Sequence, residues 1–442
     1  MPYQGGKRLP AERASKIGHL EVIMSPLVQQ LCKNFNDPNC LPSVSSNVLW
    51  QEITNVNAQD DLTIIFSADG SLQIIENPQP PYKTIAFVKT ALLKVDQHAI
   101  GKLSKATPNP FAIRDIMSDS ALFHSTAFPL KHVMIPEKSV YQFVREVIFE
   151  SVKDKGFNDS INGEIMETLK WLAYEKWETG RKNGLEKFGC PHCHENVATL
   201  PFNQEEGDCP ICGKRIFITD MFGLHLNMQE DFAPDQVASD YMSVHETLMI
   251  FTPVRYFWES NREVLKNCLF IKDGPLSLRA TLSKLAAPIR RFFKYAKDNG
   301  IEVAMIGQEK SGTFYDHLQL INKRAPDFSI FIPDNNYIKT EIQHSNSKGI
   351  YGQYTNYGAK VFMKYNNYHN MVLNIPTGEV GEFVEKPSVR NLIAFERIMA
   401  TLPKILSNRY EGALFPIELA NGVASLSTYP SAKVLELFSK SI

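Results

Sequence analysis

At 442 residues the chain is long enough for two or three hydrophobic cores, and 43% hydrophobic against 21% charged residues is the balance of a folded globular protein. A formal net charge of -1 and a pI near 6.8 exclude a globally basic surface, so any grip on nucleic acid must come from a local patch. No apolar run approaches the roughly eighteen residues of a membrane span, and residues 1–13 carry charge without an apolar segment, which predicts a cytoplasmic protein without a membrane partner.

In chain order, residues 11–33 place Ile17, Leu20, Ile23, Met24, Leu27 and Leu31 at helical spacing, and an Asn/Asp/Pro-rich link follows at 34–42. A helical region over 1–54 is expected. Apolar runs at 62–66, 72–75 and 84–95 read as strands of an antiparallel meander, the last two separated by Asn77-Pro78-Gln79-Pro80-Pro81. Helical periodicity returns at 139–152 and 161–178, the second with Trp171 and Trp177. Residues 240–267 are again helical in pattern, with a kink or break expected at Pro253. A strand at 268–271, a helix over 276–299 kinked at Pro288 and ended by Gly300, and strands at 302–306, 328–332, 359–365 and 371–375 complete a mixed α/β sheet.

Seven cysteines do not form a disulfide framework: Cys32, Cys40 and Cys268 are scattered, and the other four are clustered. Cys190-Pro191-His192-Cys193 and Cys209-Pro210-Ile211-Cys212-Gly213 are two knuckles separated by fifteen residues, the spacing at which four thiolates close a tetrahedral zinc site. Four cysteines complete the shell, so His192 and His194 are expected to be exposed bystanders. A closed site leaves no position for substrate, so 185–220 is expected to be a structural zinc ribbon, inserted between core segments 55–184 and 221–442.

Two of the predicted strands run into the same acidic sequence, Ser67-Ala68-Asp69-Gly70-Ser71 and Lys272-Asp273-Gly274-Pro275-Leu276. Read as turns at neighbouring strand tips, they bring Asp69 and Asp273 to where a divalent metal can bridge them. Carboxylate and water ligands suit Mg²⁺ and Mn²⁺, and a pair of such ions clamps the attacking and leaving oxygens of a phosphodiester.

With Val303-Ala304-Met305-Ile306-Gly307-Gln308-Glu309-Lys310-Ser311 following them, these motifs resemble the NurA nuclease family over about residues 55–100 and 240–442. The resemblance implies an RNase H-like fold, a Mn²⁺-dependent (or Mg²⁺-dependent) DNA-end nuclease, a hexameric HerA-like ATPase as partner, and a homodimer. It implies Asp69 and Asp273 as metal ligands and Lys310 as the phosphate-binding ammonium. It also calls for an acidic residue on the helix before the second Asp strand, for which Glu246 is favoured over Glu259 and Glu263 because it lies early enough to fold back over the sheet. The family's C-terminal His is missing from Phe415-Pro416-Ile417-Glu418-Leu419-Ala420-Asn421-Gly422-Val423, where Asn421 or Glu418 could supply an oxygen instead.

For DNA, Lys284, Arg291 and Lys294 form a basic stripe opposite the apolar face of the helix after Asp273. Tyr351, Tyr354, Tyr357, Lys360, Lys364, Tyr365 and Tyr368 interleave aromatics and lysines as single-strand platforms do. A competing nuclease motif of the restriction-endonuclease type, Asp327 with Glu341, has Gln343 where a Lys is required. A third reading is a non-catalytic DNA-binding adaptor for the ATPase.

Overall fold

Eleven strands, β1 (Gln51–Glu52), β2 (Ile64–Glu76), β3 (Thr84–Asp96), β4 (Ala121–Lys131), β5 (Glu206–Asp208), β6 (Arg215–Phe217), β7 (Cys268–Asp273), β8 (Ala304–Glu309), β9 (Ser329–Phe331), β10 (Ala359–Lys364) and β11 (Asn370–Ile375), are found among the described residues. The computed structural model describes residues 22–33, 48–53, 61–77, 79–102, 121–155, 163–278, 284–378, 385–427 and 430–441. Nine strands form one mixed sheet in the order β1-β9-β10-β11-β8-β7-β2-β3-β4, and β5 and β6 pair separately. The helices are α1 (Pro26–Lys33), α2 (Gln97–Gly101), α3 (Val140–Lys153), α4 (Glu164–Ala173), α5 (Asp235–Ser260), α6 (Ala286–Asp298), α7 (Thr313–Ile321), α8 (Phe395–Ile405), α9 (Phe415–Ala424) and α10 (Ser431–Ser441). The chain divides into two units, Met1–Val48 and Leu49–Ile442. In the first, α1 falls within the predicted helix, while 11–21 and the link at 34–42 lie outside the described residues.

The mixed α/β sheet with flanking helices agrees with the expectation, and two details of it position the site. First, β2 does not end in a turn at Asp69. It runs unbroken through Asp69 and Gly70 and pairs with β3 along all thirteen of its residues, so the two predicted strands at 62–66 and 72–75 are one. Thirteen cross-strand pairs outweigh the turn preference of one Asp-Gly. Second, β7 runs parallel to β2 with Phe66 opposite Phe270 and Ala68 opposite Lys272, and the two phenyl rings stack at 5.3 Å. Parallel strands need a covered crossover, and 65–69 and 268–272 are accordingly buried on both faces. β8 adds parallel to β7 on its other side through α6, with Asp273 opposite Gln308.

Helix α5 packs on β2 and β3, and so does α9. Most of α5 is buried, so it continues past Pro253 instead of breaking there; burial outweighs the single hydrogen bond proline removes. Pro288 lies in the first turn of α6, where no backbone donor is needed, and produces no division. Phe292 of α6 anchors the far side of the core against Trp171, Trp177 and Trp258 at 4.8, 5.6 and 5.3 Å. Edge strand β4 is absent from the sequence-based elements; Pro129 argues against a strand but is tolerated where no further strand pairs.

Candidate metal centre and the cysteine knuckles

The parallel register brings the two aspartates together. Since Ala68 faces Lys272 across the ladder, the next residues, Asp69 and Asp273, are level where β7 ends and β2 continues. Gly274, at φ +82°, turns the chain away in a conformation that glycine adopts without strain. Asp69, Glu246, Lys272, Asp273, Gln308, Glu309 and Lys310 line one cleft of about 400 Å³.

Successive side chains of a strand point to opposite faces. Gly70 faces α5, where a Cβ would overlap Oε1 of Glu246 and lie 2.7 Å from Cγ of Met242; the missing side chain is what lets the helix approach. Asp69 faces α9, with the Asn421 amide beside it. Of the two C-terminal candidates, then, Asn421 reaches the site, whereas Glu418 accepts from Ser407 at 2.8 Å and Arg409 at 3.3 Å. Of the three glutamates, Glu246 lines the cleft, Glu259 pairs with Arg255 and Glu263 with Lys266.

Burial pushes the Asp69 carboxyl up to about 7, with Asp273 and Glu246 adding to the rise; Asn421 and Lys310 oppose it. Its Oδ1 accepts from the Gly70 N–H at 2.8 Å. Its Oδ2 is buried and takes no hydrogen bond of good geometry, an uncommon condition for a carboxylate oxygen and one a hard cation would relieve. Lys310 Nζ lies 3.0 Å from Oδ2 of Asp273. Lys272, which the sequence reading did not single out, places Nζ 2.9 Å from Oε2 of Glu246 and 3.0 Å from the Asp273 carbonyl oxygen. Burial is the largest single influence and opposes its charge, but Glu246, Tyr357 and Asp273 together outweigh it and the net shift of the lysine is upward. Burial raises the Glu246 carboxyl against the pull of Lys272, and the 2.9 Å contact marks the ion pair as the governing interaction.

Each basic residue of the expected DNA-binding stripe has an acidic neighbour, in part-exposed pairs of the kind that exchange with solvent. Lys284 pairs with Glu186 at 3.5 Å, Arg291 with buried Glu175, and Lys294 with Asp298 at 3.1 Å. Lys284 and Arg291 line a different cleft, beside Tyr174 and Glu175. In the tyrosine–lysine segment Tyr357, Lys360 and Lys364 are buried, Lys360 on Glu309 and Lys364 on the carbonyls of Asn322 and Ala325, whereas Tyr354 and Tyr368 are exposed. The competing motif does not assemble either, because Glu341 lies in the helical turn Ile338–Ile342 and not on a strand, while Asp327 is exposed.

The four cysteines converge. Their Sγ atoms lie within 4.8 Å of one another, and among the described residues no other set of three or more His, Cys, Asp or Glu side chains does so. Cys190 to Cys212 and Cys193 to Cys209 are each 3.8 Å, the edge length of a tetrahedron with bonds of about 2.3 Å to zinc. The β5–β6 hairpin carries the second knuckle, where Gly213 takes φ +64°; His194 takes φ +62° at the matching place in the first. His194 is exposed, as expected, but His192 is half-buried, its Nε2 2.9 Å from the Arg215 carbonyl. The knuckles dock on α3 through a buried bidentate Arg145–Asp220 pair at 2.8 and 2.9 Å, a Phe149–Phe217 stack at 4.5 Å, and the Tyr141 hydroxyl donating to the Pro191 carbonyl. Among the described residues no helix is long and apolar enough to cross a membrane. The chain matches no protein-family model, and none of the curated proteins matches it.

Proposed function

We propose that this protein is a divalent-metal-dependent DNA nuclease of RNase H-like architecture, stiffened by a structural zinc ribbon. The observation that carries the reading is the pair Asp69 and Asp273, level on adjacent parallel strands in one cleft, with a buried oxygen of Asp69 unpartnered. The strand order supports it: a three-strand antiparallel meander, β4-β3-β2, is extended on the free side of β2 by two parallel strands, β7 and β8. Asp69 and Asp273 supply hard oxygen ligands suited to Mn²⁺ or Mg²⁺. Such an ion polarises a phosphodiester and offsets charge on the leaving oxygen. Lys310, half-exposed at the mouth, offers an ammonium to the scissile phosphate. Action on DNA ends with a HerA-like hexameric ATPase, as a homodimer, in repair or anti-phage defence, extends the same reading on the motif order of the sequence.

Labelled linear duplex and single-stranded DNA, incubated with Mn²⁺, Mg²⁺ or EDTA and with or without the cognate ATPase, tests the proposal. The wild type should cut only with metal, and Asp273→Asn should lose about 10³-fold, the several kcal/mol a metal ion contributes. Asp327→Asn and Glu341→Gln should cut at the wild-type rate. Intact DNA throughout, with binding preserved, would identify the adaptor instead.

Gly70→Ala probes the second wall. The added methyl has to displace Glu246 or Met242, so cleavage should fall by about 10²-fold for a loss of stability of roughly 1–3 kcal/mol. Wild-type cleavage by the folded variant would show that the close approach of α5 is irrelevant to the reaction.

A further inference from the structure

Lys272 is a buried cation in the cleft with no part in the chemistry just described. Its side chain is 3% exposed, and that of its partner Glu246 is 7% exposed. Separating them would strand a charge in the interior, so the pair is fixed. Lys310 differs: its side chain is 36% exposed, and such a contact to Asp273 exchanges readily.

We propose that Lys272 stands in the place of a second metal ion, so that Glu246 is its partner and not a metal ligand, and the cleft takes one divalent cation held by Asp69 and Asp273. The inference rests on the nuclease reading and specifies its metal. Three carboxylates and Lys272 together leave a formal charge of two negatives, which one divalent ion balances; Lys310 is then released from Asp273 toward the phosphate. Geometry points the same way. Glu246 approaches from the α5 face against Gly70 while Asp69 faces α9, and Asp69, Glu246 and Asp273 do not come within 4.8 Å of one another as a group. Lys272 is thus a positioning residue: it fixes one oxygen of Glu246 and supplies, permanently, the positive charge that a second ion would bring.

The test is a Mn²⁺ titration of the zinc-loaded protein followed by electron paramagnetic resonance of the free ion. The wild type should bind one Mn²⁺ per chain and Asp273→Asn none. The double variant Lys272→Met/Glu246→Gln, which removes both charges together, should bind one with affinity within about tenfold of the wild type. Two Mn²⁺ per wild-type chain, or loss of Mn²⁺ binding by a folded double variant, overturns the assignment and leaves the nuclease reading standing. No binding by the wild type overturns both. The wild-type stoichiometry decides the question even where the double variant does not fold.

Discussion

Asp69→Asn is expected to abolish metal-dependent cleavage while making the protein, without added Mn²⁺, more stable at pH 8. Burial and two neighbouring carboxylates raise the folded-state pKa of Asp69 from 3.8 to about 7. Between those values the folded protein holds a proton that the unfolded chain has released, so stability falls as pH rises through that window. The penalty is complete above about pH 7 and absent below about pH 4. Three pKa units correspond to roughly 4 kcal/mol, and a neutral amide does not incur them. The stability difference between variant and wild type should therefore be near zero at pH 4 and grow to a few kcal/mol by pH 8, as read by denaturant unfolding. Added Mn²⁺ should close that gap, stabilising the wild type by about 2.7 kcal/mol at a hundred times its Kd and about 4.1 kcal/mol at a thousand times, and leaving the variant unchanged. A variant that is less stable than wild type at pH 8 would mean that Asp69 is ionised and satisfied without metal, and the metal assignment would fail. Strain of this kind, tolerated for a ligand, is typical of functional carboxylates.

The second large effect belongs to the cysteine knuckles. Cys209→Ser should yield protein without zinc, cut by dilute protease within 185–220, and with a Tm lower by roughly 10 °C, because metal-binding energy is folding energy at such a site. The damage should extend to α3: unfolding the ribbon strips buried Arg145 of Asp220 and Phe149 of Phe217. Metal analysis and differential scanning calorimetry decide it. A zinc-free wild type with the same Tm as the variant would show four thiols and no centre. Cleavage by whatever fraction remains folded should persist, since none of the four cysteines lines the Asp69 cleft.

What the sequence by itself determined was the chemistry carried by local spacing. Two Cys-x-x-Cys knuckles specify their own geometry within six-residue loops, so the convergence of Cys190, Cys193, Cys209 and Cys212 needed little from the rest of the chain. The two Asp-Gly sequences after apolar runs likewise marked the residues that share a cleft, although Asp69 sits in the middle of a thirteen-residue strand and not in a turn. The tertiary structure decided everything that depends on a partner far along the chain. Lys284, Arg291 and Lys294 form a basic stripe in any helical reading, but that Arg291 meets Glu175, more than a hundred residues away, is decided by the fold alone. Glu246 was favoured among three glutamates by its early place in the helix, and the packing of α5 over Gly70 is what brings it to the cleft. Lys272 carried no signal at all, since a lysine in an apolar strand reads as solvent-facing until the helix that buries it is in place. Spacing along a backbone is encoded residue by residue; the desolvation and pairing of a charge are properties of the packed chain, and they govern what each carboxylate and ammonium in this cleft can do.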